Sequence, residues 1–276
     1  MNKITIQVLS DIHLEFYKTY PKFKPLAKYL FLAGDIGTIE SKYDNKVKNF
    51  LSYCSENWEK TFYVLGNHEF YQINKIASKK KCFEELEQEY TQICSQFHNV
   101  YLLNNSFEEV IPGLNVYGST LWTSNYGCHY NLSYHLSDYK MIGIKSTNST
   151  ILVDENFINN TSKMQLELLS NYLEKINNIS NTKTLIITHF PPLRQGTSNP
   201  KYLSQPAFLA NYFSWNNIYD KLDCSCIIGW ISGHTHWSYD IKINGQRYIS
   251  NQTGYKDEFY SGESGFESDK VFEIEY

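Results

Sequence analysis

The run Phe62-Tyr63-Val64-Leu65-Gly66-Asn67-His68-Glu69 decides how this sequence is read. Four apolar residues in succession mark a buried strand, and Gly66 ends it, so Asn67 and His68 are delivered into a loop at a sheet edge. Open α/β sheets keep their ligand sites there. Gly-Asn-His-Glu is also an ordinary turn sequence, so its meaning depends on whether other strands end in a similar way.

They do. Ile4 to Leu9 reads as a strand and ends at Ser10-Asp11-Ile12-His13. In an extended chain residues two apart share a side, so Asp11 and His13 can address one point. Tyr29 to Ala33 ends in Gly34-Asp35. Thr184 to Thr188 delivers His189, after which Phe190-Pro191-Pro192 forces the chain out of regular structure. Ile227 to Ile231 ends in Ser232-Gly233-His234-Thr235-His236.

Between these strands lie helical patterns. Val47 to Trp58 is one, and from Ile76 to Phe97 the residues Phe83, Leu86, Tyr90, Ile93 and Phe97 form a second apolar face. Lys79-Lys80-Lys81 reads as a solvated run beside it. Together they give the β-α-β rhythm of a sheet with covering helices.

Short runs at Val100 to Leu103, Phe107 to Ile111 and Leu114 to Tyr117 are separated by turn residues, which predicts an antiparallel second sheet. From Trp122 to Asp154 the chain is aromatic and irregular, with Tyr126, His129, Tyr130, Tyr134, His135 and Tyr139. Residues 122–160 are therefore a candidate lid or substrate wall within a single 1–276 domain. Ser162-Lys163-Met164-Gln165 has the form of a capping box ahead of a helix running to about Asn178. Ile241 to Ile249 alternates around Asn244-Gly245, a strong hairpin signal. The stretch from Gly254 to Asp269 reads as loop, and Val271 to Ile274 as a last strand.

Composition narrows the class of function. A net charge of −4 offers no basic footprint for duplex nucleic acid. No long apolar run and no basic-then-apolar leader is present, so a cytoplasmic protein with no membrane partner is expected. The six cysteines are scattered and read as reduced thiols, with Cys224-Ser225-Cys226 only a weak metal motif. Arginine is limited to Arg194 and Arg247, and Arg194, in the loop after His189, can reach a phosphate oxygen with its planar fork.

Five strand ends thus present Asp11, His13, Asp35, Asn67, His68, His189, His234 and His236 to one edge. Core packing asks for none of this, whereas a site ligated by nitrogen and oxygen does. The set exceeds what one tetrahedral ion needs and points to two divalent ions sharing a carboxylate. With Asp11, Asp35 and a bridging hydroxide counted against the two cations, roughly +1 remains, which suits a phosphate anion.

The ordered set Asp-x-His, Gly-Asp, Gly-Asn-His-Glu, a strand-end His and Gly-His-x-His, from Asp11 to His236, resembles the calcineurin-like metallophosphoesterases. Gly118 to Thr123, Ser137-Asp138-Tyr139 and Asn251 to Tyr255 look similar to a bacterial-type subgroup of small stand-alone members. The resemblance implies an α/β fold, a four-layer α/β/β/α sandwich of two mixed sheets flanked by helices. It also implies that Asp11, His13, Asp35 and His236 hold one ion, and Asp35, Asn67, His189 and His234 the other. The ions would be Mn, Fe, Ni, Co or Zn.

The expected reaction is hydrolysis of a small phosphate monoester or diester by a metal-bridging hydroxide, with His68 donating a proton to the leaving group or hydrogen-bonding the phosphate. Two departures stand out. Thr38 occupies the place where many relatives carry a second Asp that orients the catalytic His, so the orienting acid must come from elsewhere or be absent. The arginines flanking the corresponding motifs of Ser/Thr protein phosphatases are missing, which argues against that activity. The alternatives are a nuclease or nucleotide phosphodiesterase on the same centre, and a non-catalytic scaffold, which the complete ligand set disfavours.

Overall fold

The computed structural model describes residues 2–18, 21–39, 45–124, 132–179, 182–202, 204–222 and 225–276. In chain order the strands of these residues are β1 (Lys3–Leu9), β2 (Tyr29–Leu32), β3 (Lys60–Tyr63), β4 (Val100–Leu102), β5 (Ser106–Ile111), β6 (Leu114–Ser119), β7 (Gly143–Lys145), β8 (Thr150–Leu152), β9 (Lys183–Thr188), β10 (Ile227–Ile231), β11 (Tyr239–Ile243), β12 (Gln246–Ser250) and β13 (Phe272–Glu275). The α-helices are α1 (Lys46–Asn57), α2 (Phe83–Cys94), α3 (Asp138–Met141), α4 (Glu155–Asn177), α5 (Ala207–Phe213) and α6 (Lys256–Ser261).

One sheet has the order β13-β1-β2-β3-β4 and the other β11-β12-β10-β9-β6-β5. β1 to β4 are parallel, with β13 antiparallel at the edge. In the second sheet β6, β9, β10 and β12 are parallel, and β5 and β11 close its edges antiparallel.

Strand alternation builds the layers. Tyr29 and Phe31 of β2 enter the space between the sheets, where they meet Leu185, Ile187, Ile231 and Ile249 of the second sheet. Leu30 and Leu32 face the other way, onto a core completed by Phe50 and Leu51 of α1 and Phe83, Leu86 and Tyr90 of α2. On the far side, Leu169, Leu173 and Ile176 of α4 cover Ile186 and Trp230. The result is a four-layer α/β/β/α sandwich. Each fully buried side chain of this size contributes about 1.5–3 kcal/mol, so the parallel strands form a stiff platform for the loops at their ends.

Several expectations are corrected. Val100 to Leu102 pairs in parallel with β3 and belongs to the first sheet, because β4 follows the crossover helix α2. The second helix begins at Phe83, after a 3₁₀ turn at Ala77–Lys79. Within the lysine run, Lys79 is exposed and Lys81 pairs with Glu89 at the surface, but Lys80 is buried and donates from Nζ to the Gln72 carbonyl, so the run is not solvated throughout. The capping box at Ser162 falls inside α4, whose N-cap is Asp154, accepting from the Phe157 N–H at 2.8 Å. The 254–269 stretch contains α6, where Glu258 completes a capping box with Tyr255.

Cys54, Cys82, Cys94 and Cys226 are buried. Cys224, and with it the weak Cys224-Ser225-Cys226 motif, lies outside the described residues, as do Tyr126, His129 and Tyr130. No helix among the described residues is long and apolar enough to cross a membrane.

Candidate metal centre

The five strand ends converge, but not by continuing the strands. β1 stops at Leu9, and Asp11 and His13 have φ values of 54° and 53°, in the left-handed region. Asp35, His234 and His236 share this conformation, with φ of 52°, 75° and 49°. Such backbone costs about 1–2 kcal/mol per non-glycine residue and concentrates at functional sites. The side chains two apart therefore share a side because alternating left-handed residues curl the loop, not because an extended strand aims them. Close packing leaves no room for side chains beside them: a Cβ at Gly66 would collide with Asp35, and one at Gly233 with Ser10 and Asp11.

Three groups of candidate ligand atoms result among the described residues, two of them made of the expected ligands. Ligand atoms of Asp11, His13 and His236 lie within 4.8 Å of one another, as do those of Asp35, His189 and His234. Asp35 faces both, with Oδ2 4.0 Å from His13 Nε2 and Oδ1 3.5 Å from His189 Nε2. Asn67 Oδ1 is 3.0 Å from His189 Nε2, and His234 Nδ1 is 3.1 Å from the same atom.

The outer hydrogen bonds reveal what the inner atoms can do. His13 Nδ1 lies 3.3 Å from Glu15, His236 Nδ1 lies 2.5 Å from Glu258, and His189 Nδ1 lies 2.9 Å from the Ala33 carbonyl. With those N–H groups directed outward, each Nε2 faces the centre and, in the neutral ring, carries its lone pair there. His13 Nε2 and His236 Nε2 then face each other at 3.0 Å. Two facing lone pairs repel unless a cation lies among them. The Asn67 amide is aimed the same way: Nδ2 donates to Asp138 and Tyr71 at 3.1 Å each, which turns Oδ1 inward.

Electrostatics agree with this donor set. Burial holds His13 and His234 below the usual imidazole pKa, so both rings are neutral donors. Burial works against charge on His189 too, yet Asp35 outweighs it and pushes the pKa up to about 9. A field that draws a proton there also draws a metal cation. Burial opposes charge on Asp35, but His189 and His68 hold its pKa well below the ordinary carboxylate value. The residues therefore fit a divalent metal centre.

His68 is in neither of those two groups but forms the third with His13 and Glu15. Its backbone N–H donates to Asp35 Oδ1 at 2.8 Å, and its Nδ1 lies 3.0 Å from Glu15 Oε1. Burial lowers the His68 pKa, but Asp35 and Glu15 raise it more, to about 9. Glu69 is buried and acts as a clamp. It accepts from the N–H groups of Asp35, Ile36, Gly37 and Gly66 and from the Tyr63 hydroxyl, tying the Asp35 loop to the Asn67 loop. Glu69→Ala leaves these buried donors without an acceptor and is expected to cost about 3 kcal/mol or more, lowering Tm by roughly 6 °C or more in a thermal melt.

The centre opens into a cleft of about 800 Å³. Phe16, Leu136, Met141 and Phe213 give it apolar walls, and Arg194 faces it together with the acids Glu15, Asp35, Asp138 and Glu258. Asp11, His13 and His189 lie deeper and are fully buried.

The supporting roles of several residues escaped the sequence reading, although Asp138 and Tyr255 lie in stretches that resemble the subgroup. Glu15 continues the every-second-residue series of Asp11 and His13, a signal that was available. Tyr255 comes from the loop after β12 and Glu258 from α6 just beyond it, at a sixth strand end whose loop, 251–255, carries no Asp or His. Asp138 meets Asn67 from a point distant in sequence, and no local pattern marks it as a partner.

Residues 4–238 match the family model described as calcineurin-like phosphoesterase. Uncharacterized protein L509 of Acanthamoeba polyphaga mimivirus is 29% identical over 268 residues, covering 92% of this chain and 92% of that protein. Among solved structures, phosphopantetheinyl hydrolase (PptH) from Mycobacterium tuberculosis aligns over 93% of this chain and 92% of its own at 15% identity, with a TM-score of 0.65. TT1561 of Thermus thermophilus aligns over 91% and 90% at 10% identity, with a TM-score of 0.52. At these identities the two structures are likenesses of fold.

Proposed function

Because this chain belongs to the calcineurin-like phosphoesterases, metal-dependent hydrolases of phosphoric esters, we propose that it hydrolyses a small phosphate monoester or diester as a single domain, with the described part of 122–160 forming one wall of the cleft. The observation that carries this reading is the set of inward-facing Nε2 atoms of His13, His189 and His236 around Asp35, beside His68. Asp11, His13, Asp35 and His236 would hold one divalent ion, and Asp35, Asn67, His189 and His234 the second. When bound, such ions supply an activated water at neutral pH and neutralise charge on the transferring phosphoryl group.

The chain's own residues do the rest. Arg194 binds a phosphate oxygen at the cleft wall. His68, with Nδ1 directed to Glu15, turns Nε2 toward the cleft and gives its proton to the leaving oxygen. The enclosing walls exclude bulk water and favour a small substrate over a protein surface. The four acids facing Arg194 speak against a polynucleotide, which needs a basic groove along its backbone.

The test is hydrolysis of p-nitrophenyl phosphate and bis(p-nitrophenyl) phosphate after chelation and re-addition of Mn2+, Ni2+, Co2+ or Zn2+. At least one metal is expected to restore turnover. Failure of every metal to exceed the Asp35→Asn variant sinks the reading. His68→Ala is expected to keep its metal and lose about 10²-fold in kcat on esters with poor leaving groups, and less on p-nitrophenyl esters. Equal loss on both would point instead to electrostatic stabilisation.

A further inference from the structure

We infer that Glu15 is the positioning residue for His68, filling from the first strand end the role that an Asp at position 38 fills in many relatives. The inference rests on the phosphoesterase reading above. Thr38 faces the same cleft but brings no carboxylate. Glu15 Oε1 instead lies 3.0 Å from His68 Nδ1 and 3.3 Å from His13 Nδ1, so one oxygen addresses a candidate metal ligand and the candidate acid at once. The Glu15 side chain is only 16% exposed, and its Oε2 is buried with no hydrogen-bond partner among the described residues, so little besides the two rings accounts for the carboxylate being there.

Three contacts set the His68 ring. Tyr71 stacks on it at 4.1 Å between centroids, His13 meets it edge-on at 4.4 Å, and Glu15 holds Nδ1. Stacking leaves the ring free to turn in its own plane, whereas a hydrogen bond at Nδ1 fixes which nitrogen faces the cleft. Nε2 is thereby presented beside the Tyr255 hydroxyl, 3.4 Å away. The location of Glu15, two residues after His13, also means that the loop carrying a candidate ligand carries the orienting acid. An aspartate at 38 would be an alternative support, not an additional one.

A double-mutant cycle decides it. Wild type, Glu15→Gln, His68→Ala and the double variant are assayed on phenyl phosphate and p-nitrophenyl phosphate with the best-restoring metal, and metal content is measured for each. Glu15→Gln is expected to keep wild-type metal content and KM and to lose about 10-fold or more in kcat on phenyl phosphate, with a smaller loss on p-nitrophenyl phosphate. In the His68→Ala background the same change should cost nothing further, because a residue acting through His68 has nothing left to position.

Losses that simply multiply in the double variant overturn the proposal. So does a loss of turnover in Glu15→Gln that only tracks a fall in its metal content, which would place the effect of Glu15 on His13 and the metal and not on His68. A wild-type protein that hydrolyses neither ester with any metal would defeat the functional reading instead.

Discussion

Asp35→Asn is expected to lower kcat/KM by roughly 10⁴-fold and to release bound metal, measured by p-nitrophenyl ester hydrolysis and by metal analysis of the purified variant. The size follows from position. Asp35 faces both ligand clusters, with one oxygen toward His13 and the other toward His189. Its Oδ1 also accepts the His68 backbone N–H, so the same carboxylate sets the position of the candidate acid. An amide of the same shape removes one negative charge from the middle of the site and replaces an oxygen that accepts with a nitrogen that donates. The fold should tolerate the change, because the clamp on the Asp35 loop is made by its backbone N–H to Glu69 and not by its side chain. Retention of full metal content and activity would remove Asp35 from the centre of the proposal.

Chelation should act on stability as well as on turnover. At a metal concentration about a thousandfold above Kd, each bound ion stabilises the folded state by about 4 kcal/mol, so stripping even one is expected to lower Tm by about 8 °C and to bring hydrolysis to background. The physical cause is visible in the donors. Without a cation, the facing Nε2 atoms of His13 and His236 repel, and Asp11 is buried beside Asp35, where burial and that neighbouring charge raise its pKa. Re-addition of a suitable divalent metal should restore both Tm and turnover. A melt that does not respond to chelation would mean that these residues support one another without metal.

Much of the centre was legible because its chemistry is written at strand ends. A run of apolar residues giving way to Asp, Asn or His at a strand end is a local pattern, marked by Gly before Asp35, Asn67 and His234, and the eight residues from Asp11 to His236 all occur at such ends. The supporting network was not legible for an equally definite reason. Glu258 belongs to a short helix in a stretch that is polar and rich in Gly and Ser, and it reaches His236 only because β12 lies beside β10. Asp138 meets Asn67 across 71 positions of sequence. The burial of Lys80 likewise depends on the Gln72 carbonyl being folded over it, which no periodicity announces.

By itself, then, the sequence determined the strand ends and the order of the ligand-bearing loops, because hydrophobic period and glycine breaks act over a few neighbouring residues, while its resemblance to a family implied the layer architecture. Tertiary structure alone decided how those residues face one another. The left-handed turns at Asp11, His13, Asp35, His234 and His236 aim their side chains, and Glu15, Glu258 and the Ala33 carbonyl choose which nitrogen of each ring looks inward. Of those choices, the contact of the Ala33 carbonyl with His189 joins the ends of strands from the two sheets and forms only when the sandwich has closed.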